Sequence, residues 1–278
     1  IVHLSGRSRG GNWVLELRRP EGGATVPWLG AAAGTVLDLP GGGQARLLAP
    51  ASGSTPGAVR LWAASLALPL PVLAYLARHG RPIRYGYVTA TRVAGQGRLT
   101  VPPLGAYQTV FADEPGSAEM PSAARPFSAD LVTRLVARGV RMAPFVLHAG
   151  VSSPEAHEPP QTEWYRLPAP SAALINATRA EGRRVIAVGT TAVRTLETVA
   201  GPDGRVGAGE GWTDLVITPA RGVRAVDGLI TGWHEPRASH LQLLEAVAGR
   251  PLLEASYTAA LAGRYLWHEF GDSHLILR

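Results

Sequence analysis

The spacing of apolar residues changes along this chain, and that change limits the folds it can adopt. Up to about residue 70, short alternating runs such as "NWVLEL", "TVLDLP" and "AVRLWAA" are separated by glycine and proline. This spacing predicts antiparallel strands joined by turns, as in a small all-β barrel or meander. From Ser128 onward, runs with helical spacing alternate with short apolar runs. This order predicts an α/β domain with much parallel pairing.

We therefore expect a small β-barrel-type domain over residues 1–85 and an α/β domain over residues 86–278. The first ends in a short helix that stops at Gly80. In the second, "SADLVTRLVARG" predicts a helix that Ser128 caps and Gly139 ends. The remaining predicted elements are a helix around 170–181, a helix at "SHLQLLEAVAG", and strands at "VRMAPFVLH", "VIAV", "DLVITP" and "GLIT".

Composition excludes some classes of protein. The absence of cysteine rules out disulfides, thiol catalysis and cysteine-ligated metals. No apolar run approaches the ~20 residues of a membrane-spanning helix, and no signal peptide is visible, so we expect a cytoplasmic protein. All 27 basic residues are arginine and the net charge is +6. This charge permits a polyanionic partner such as RNA but does not indicate one, because no basic tract is present.

The stretch "RRVIAVGTTAVRTLE", residues 183–197, runs from a buried-strand pattern through Gly-Thr-Thr into a helical pattern. Gly189 allows a tight turn, and Thr190 or Thr191 can cap the helix through its hydroxyl. The free N–H groups at the helix start would then suit an anion or a carboxylate. The alternative is a well-capped strand–turn–helix with no ligand.

Three loops that follow predicted strands are rich in polar side chains, and such loops gather on one edge of a parallel sheet. Each residue also has an ordinary interpretation: a core-edge histidine, a packing tryptophan or a solvated glutamate. Metal-ligand spacing, the G-x-S-x-G motif, a Walker loop and a Rossmann fingerprint are all missing, which leaves a cofactor-free polar and aromatic pocket. The loop residues are His148, Ser152, Ser153 and Glu155; Gly189, Thr190 and Thr191; and Thr231, Trp233, His234, Glu235 and Arg237.

Four stretches carry a resemblance to a known family: "YQTVFA", "GRRVIAVGTTAVRTLE", "LITGWHEPRAS" and "YLWHEFGDSHLIL". They resemble the S-adenosylmethionine:tRNA ribosyltransferase-isomerase family of queuosine biosynthesis. The likeness covers most of residues 105–278. It implies a mixed, partly barrel-like sheet with flanking helices, plus a small inserted all-β barrel domain. It also implies that roughly sixty family residues ahead of the barrel are absent from this chain.

The resemblance implies an activity. The family transfers and isomerises the ribosyl part of S-adenosylmethionine onto 7-aminomethyl-7-deazaguanine in tRNA, giving epoxyqueuosine, adenine and methionine. We therefore expect S-adenosylmethionine as substrate, tRNA as the inherited acceptor, no metal, no further cofactor and a monomer. Two alternatives stay open: a paralogue with a small-molecule acceptor, and a non-catalytic RNA- or nucleotide-binding protein. The substrate-binding residues that the resemblance implies are Tyr107, Gln108, Thr109, Phe127, Gly189, Thr190, Thr191, Arg194, Thr231, Trp233 and Asp272.

The chain departs from the family pattern where proton transfer is expected. The family reads P-T-A-G-L-H-F-T where this chain reads "PSAARPFS", so Pro126 stands at the histidine position. Two carboxylates are gained, at Glu119 and at Glu235 beside His234. The expected catalytic residues are accordingly His234, Glu235, Glu119 and the retained His148.

Overall fold

The computed structural model describes residues 1–21, 24–51, 59–83, 103–151, 161–234, 240–268 and 270–278. The chain divides into two compact units. The first comprises Ile1–Thr89, Gly116–Glu119 and Ala149–Ser152, and the second comprises Ala90–Pro115, Met120–His148 and Ser153–Arg278. The predicted boundary between residues 85 and 86 lies outside the described residues.

The first unit is built on an antiparallel sheet. Its strands are β1 (Val2–Arg7), β2 (Trp13–Glu21), β3 (Ala24–Pro27), β4 (Val36–Leu39), β5 (Gly43–Pro50) and β6 (Leu61–Ala67), followed by helix α1 (Val72–His79). The order is β1-β2-β6-β5-β4, and β3 also pairs with β2. Alternate side chains of the central strands point to one face and form the core, as a period of two requires. The buried core residues are Leu15, Leu17, Ala45, Leu47, Trp62 and Ala64.

The predicted antiparallel strands of the first part are confirmed, but a closed barrel is not. In the described strands, β1 and β4 stand at the two ends of the sheet path and do not pair with each other. The barrel therefore stays a prediction. Helix α1 is confirmed, and it ends where the N–H of Gly80 donates to the carbonyl of Leu76 at 2.7 Å.

A buried carboxylate sits inside the first unit. Glu16 is 1% exposed, and it contacts His3 at 3.1 Å, Arg18 at 2.6 Å and Arg60 at 3.1 Å. Burial acts to raise the pKa of Glu16. The hydrogen bond with His3 and the charges of Arg60 and Arg18 outweigh burial and hold that pKa below its usual value.

The second unit contains two three-stranded sheets, five α-helices and two short 3₁₀ helices, Leu104–Tyr107 and Ser122–Ala124, in its described part. Strands β7 (Val146–His148), β8 (Glu163–Leu167) and β10 (Gly209–Thr213) form one antiparallel sheet in the order β10-β8-β7. Strands β9 (Ile186–Val188), β11 (Gly228–Gly232) and β12 (Ser273–Leu277) form the other, in the order β12-β11-β9. The helices are α2 (Ala129–Ala137), α3 (Ala169–Ala180), α4 (Thr190–Val199), α5 (His240–Ala248) and α6 (Arg250–Ala262).

Strand direction differs from the sequence prediction. Among the described strands only β9 and β11 pair in parallel, so the expectation of much parallel pairing is wrong for this part of the chain. The strand predicted at "DLVITP" is also wrong, because β10 ends at Thr213, before that run. Strands β8, β10 and β12 and helix α6 were not predicted from the sequence. The predicted cap of α2 is confirmed, since the hydroxyl of Ser128 accepts the N–H of Leu131 at 3.1 Å.

The core of the second unit packs helices against the sheet that holds β9 and β11. Val193 and Leu196 of α4, Leu229 of β11 and Leu244 of α5 are each at most 2% exposed. Burying each such side chain contributes roughly 1.5–3 kcal/mol. Within the described residues, no helix is both long and apolar enough to cross a membrane.

Candidate functional site

The turn between β9 and α4 begins at Gly189. Its φ of +97° is a value that other residues rarely adopt, and its N–H donates to the carbonyl of Ile230 at 2.8 Å. Gly189 itself takes the cap position, so Thr190 and Thr191 are the first two helical residues and neither hydroxyl caps α4. The predicted threonine cap is therefore wrong. Thr190 is buried and Thr191 is half-buried.

Arg194, on the next turn of α4, is engaged inside the protein. Its guanidinium pairs with Glu163 of β8, and both residues are buried. It also donates to the carbonyls of Leu215 at 3.1 Å and Gln161 at 3.2 Å. These contacts tie α4 to β8 and to the segment after β10.

Glu197, one turn further along, holds the segment that leads into β11. One carboxylate oxygen accepts the N–H groups of Arg224 at 2.7 Å and Ala225 at 2.8 Å. The other oxygen accepts from the guanidinium of Arg221 at 2.9 Å. Because Glu197 is only 2% exposed, these bonds are shielded from water.

His234 follows β11 and is buried. Its Nε2 lies 2.9 Å from the hydroxyl of Thr231, and its backbone N–H donates to the hydroxyl of Tyr257 at 3.1 Å. Its ring stacks on His240 with centroids 4.7 Å apart, and the ring of His268 lies 5.0 Å away. Thr231 and His234, both predicted site residues, are therefore in direct contact.

The imidazoles of this cluster are electrically neutral at pH 7. Burial, followed by the charges of His240, His268 and His274, lowers the pKa of His234 well below its ordinary value. Burial lowers the pKa of His240 to about 4, with the charge of Arg194 contributing. Burial, with the charge of His240, also lowers the pKa of His268 to about 4. Each described influence therefore favours the uncharged ring.

Trp233 packs inside an aromatic group. Its ring stacks on His274 at 4.1 Å and meets Tyr257 and Tyr265 edge-on at 5.0 and 5.7 Å. It is 5% exposed. These contacts match the ordinary packing interpretation of Trp233.

A cleft of about 240 Å³ opens beside this cluster. It lies where the segment before α2 approaches the end of β11 and the turn before β12. An aromatic ring, a guanidinium, a carboxylate and an imidazole all face it. The lining residues are Ser122, Arg125, Pro126, Gly232, His268, Phe270, Gly271, Asp272 and Ser273.

Asp272 closes the turn at one side of the cleft. Its carboxylate accepts the N–H of Leu266 at 2.7 Å, and its own N–H donates to the carbonyl of Leu266 at 3.0 Å. At Gly271, a β-carbon would lie 2.1 Å from the carbonyl oxygen of Trp267, so no side chain fits there. This tight turn presents both neighbours, Phe270 and Asp272, to the cleft.

The segment of residues 107–127 reaches the cleft through aromatic contacts. Tyr107 meets Phe270 edge-on at 5.0 Å, and the guanidinium of Arg125 lies 4.4 Å from the Phe270 ring centre. Phe127 contacts Phe111 at 5.6 Å. Among the other predicted residues, Gln108 is exposed, and the hydroxyl of Thr109 accepts the N–H of Phe111 at 3.3 Å.

The other predicted catalytic residues lie elsewhere or outside the described residues. His148 stacks on Trp164 at 5.3 Å and lies 4.0 Å from the carboxylate of Glu114. Burial lowers the pKa of His148, although Glu114 opposes that shift. Glu119 is half-buried and belongs to the first unit. Glu235, with Ser152, Ser153, Glu155 and Arg237, lies outside the described residues.

Sequence reasoning missed several residues that the structure brings to the site: His240, His268, Phe270 and Arg125. The stretch "YLWHEFGDSHLIL" contains two of these residues, His268 and Phe270. Their place in a stretch that carries the family resemblance was the available signal. In the described part of the chain, no three His, Asp or Glu side chains are grouped in a way that would hold a metal ion.

Comparison with known proteins places the chain among its relatives. It is 47% identical over 178 residues to the S-adenosylmethionine:tRNA ribosyltransferase-isomerase of Symbiobacterium thermophilum, covering 62% of this chain and 52% of that protein. It is 43% identical over 196 residues to the enzyme of the same name from Moorella thermoacetica, covering 65% and 57%. A crystal structure of S-adenosylmethionine tRNA ribosyltransferase from Thermotoga maritima aligns at 26% identity with a TM-score of 0.47, covering 99% of this chain and 78% of that one.

The chain spans about half the length of the curated relatives it matches. Residues 27–276 match the family described as queuosine biosynthesis protein, which is most of the sequence. The chain belongs to the queuosine biosynthesis protein family.

Proposed function

We propose that this chain transfers and isomerises the ribosyl part of S-adenosylmethionine onto 7-aminomethyl-7-deazaguanine in tRNA. Epoxyqueuosine forms, and adenine and methionine are released. The observation that carries this proposal is the family match over residues 27–276. Relatives named S-adenosylmethionine:tRNA ribosyltransferase-isomerase, 47% and 43% identical to this chain, support it.

The substrate's own chemistry supports a reaction without a metal or a further cofactor. The positive sulfur of S-adenosylmethionine acidifies the neighbouring C5′ hydrogens, so a modest base removes one of them. A neutral imidazole is such a base. Of the residues expected to act in catalysis, His234 has the strongest support as a group that positions and tunes such a base, because it lies in the histidine cluster beside the cleft and is not among the cleft's lining residues.

The cleft offers groups that complement S-adenosylmethionine. The sulfonium is attracted to an aromatic face such as Phe270. The methionine carboxylate suits the guanidinium of Arg125, and the methionine ammonium suits the carboxylate of Asp272. The N–H groups at the start of α4, near Thr190 and Thr191, are a second proposed site for a carboxylate.

The relatives' name also gives tRNA as the acceptor, and the net charge of +6 permits such a polyanionic partner. We also propose that the protein acts as a monomer in the cytoplasm, where it meets tRNA. We further propose that residues 1–85 form a β-barrel-type domain and residues 86–278 a catalytic domain.

Release of adenine from S-adenosylmethionine tests the proposal. The assay compares tRNA that carries 7-aminomethyl-7-deazaguanine with the same tRNA carrying guanine and with no tRNA. Release only with the first tRNA, together with epoxyqueuosine in its nucleoside digest, is the expected result. Equal release without tRNA would point to a small-molecule acceptor. Absence of release in all three reactions would contradict the proposal and favour a binding protein.

A further inference from the structure

The cleft contains an imidazole to which the proposed function has assigned no role. Among the described lining residues, His268 is the side chain that can accept a proton while uncharged at neutral pH. The guanidinium of Arg125 stays protonated in proteins. The carboxylate of Asp272 already accepts the N–H of Leu266. Proline has no group that can accept a proton, which excludes Pro126.

The position of His268 is fixed by its neighbours. Its backbone N–H donates to the carbonyl of Trp233 at 2.9 Å, which ties the turn to the segment after β11. A β-carbon on Gly232 would lie 3.2 Å from Cδ2 of His268, so the ring lies close against the backbone of β11. The bond between Asp272 and Leu266 holds the other end of the turn. These bonds fix the backbone of the turn, so His268 is already beside the cleft when a substrate arrives.

The surroundings of His268 keep its imidazole uncharged, and neighbouring histidine rings pack next to it. Its ring lies 5.0 Å from the ring of His234, which in turn stacks on His240 and contacts the hydroxyl of Thr231. Burial, with the charge of His240, lowers the pKa of His268 to about 4. The ring therefore keeps a free lone pair at neutral pH. His268 is only half-buried, so the cleft gives access to it.

Pro126 lines the same cleft, at the position where the family pattern has a histidine. We propose that His268 is a catalytic residue that takes the C5′ proton from bound S-adenosylmethionine, supplying an imidazole that position 126 lacks. This inference rests on the proposed function. In the step, the C5′–H bond breaks and its electron pair stays on C5′ beside the positive sulfur. The proton forms an N–H bond on the imidazole, which becomes an imidazolium.

The test uses the full chain with S-adenosylmethionine and tRNA carrying 7-aminomethyl-7-deazaguanine. Adenine release is measured for wild type, His268→Ala and His268→Gln, with and without added imidazole. His274→Ala is the matched control, because His274 is another buried histidine of this unit, bonded to Ser256 at 2.8 Å, and it does not line the cleft. Calorimetry measures binding of S-adenosylmethionine to each protein, which also reports correct folding.

We expect both His268 variants to release adenine roughly 100- to 10,000-fold more slowly, the range that general acid–base groups contribute. The dissociation constant for S-adenosylmethionine should change less than about threefold, because the role is in the transition state. Added imidazole should raise the rate of His268→Ala at least about tenfold. It should not change the rate of His274→Ala.

Three results would overturn the inference. If the wild type releases adenine and a His268 variant keeps more than about one tenth of the wild-type rate, the role of His268 is overturned and the proposed function is not. If a His268 variant still binds S-adenosylmethionine but loses most of its rate of adenine release, and imidazole does not restore that rate, His268 has a structural role and does not take the proton. Absence of adenine release from the wild type would overturn the proposed function and this inference together.

Discussion

Replacement of Glu197 should destabilise the second unit, and the structure gives the size of the effect. The carboxylate accepts two backbone N–H groups, from Arg224 and Ala225, and pairs with Arg221, while being 2% exposed. Hydrogen bonds to a charged group contribute about 1.5–3 kcal/mol each. Glu197→Ala leaves both N–H groups without their acceptor, so we expect a loss of about 3–6 kcal/mol in the free energy of unfolding.

Glu197→Gln separates the two parts of this interaction. The amide keeps one oxygen for the two N–H groups but places an NH₂ group against the guanidinium of Arg221. We expect the loss to be smaller than for alanine, about 1–3 kcal/mol, from the broken ion pair. Urea denaturation followed by circular dichroism and tryptophan fluorescence measures both variants. Glu181→Ala is the control, because Glu181 forms an exposed pair with Arg141, and its denaturation midpoint should stay near that of the wild type.

The reasoning would be refuted if Glu197→Ala unfolded within about 1 kcal/mol of the wild type. It would also be refuted if Glu197→Gln and Glu197→Ala lowered the free energy of unfolding equally, because the hydrogen bonds to the two backbone N–H groups would then contribute nothing. Adenine release per folded molecule should be similar for Glu197→Gln and wild type, since the carboxylate contacts protein groups and does not line the cleft.

Three further predictions concern other parts of the molecule. Gly271→Ala places a β-carbon against the carbonyl of Trp267, so it should disrupt the turn and lower both the melting temperature and the binding of S-adenosylmethionine. The pKa of His240, about 4 in the folded protein against 6.5 for the free side chain, means that stability should fall by on the order of 3 kcal/mol as the pH drops from about 6.5 to 4. Urea denaturation between pH 6.5 and 4 should show that the free energy of unfolding falls less with pH in His240→Leu than in the wild type. The pKa of Glu16 is also lowered, so the stabilisation from its carboxylate is present above the unfolded-state pKa and is lost as the pH falls below it. Glu16→Gln should therefore lower the free energy of unfolding at neutral pH and make it depend less on pH under acidic conditions.

The motif that identifies the family is mostly explained by packing. In "GTTAVRTLE", Gly189 supplies a positive φ. Arg194 forms a buried ion pair with Glu163, and the buried carboxylate of Glu197 pairs with the half-buried Arg221. These residues match the family pattern, yet the contacts of both charged side chains are with the protein. A match to a family motif therefore indicates the family more directly than it indicates which residues touch the substrate.

The sequence by itself determined the main elements of this protein. Period-two alternation predicted the strands of the first unit, and Ser128 and Gly80 marked helix ends, because such patterns depend on neighbours within a few residues. The long motif at residues 182–197 was enough to indicate the family. The strand at "DLVITP" was predicted wrongly, because an apolar run records burial and not the hydrogen-bond partners that make a strand.

Only the tertiary structure decided which residues share a site. Pro126 and His268 are far apart in the chain, and they line one cleft because the segment before α2 approaches the turn before β12. His234, His240 and His268 form one cluster by the same kind of long-range packing. Their low pKa values arise from burial and mutual proximity, which no local pattern encodes. Local patterns fix the elements, and the packing of distant elements fixes the chemistry between them.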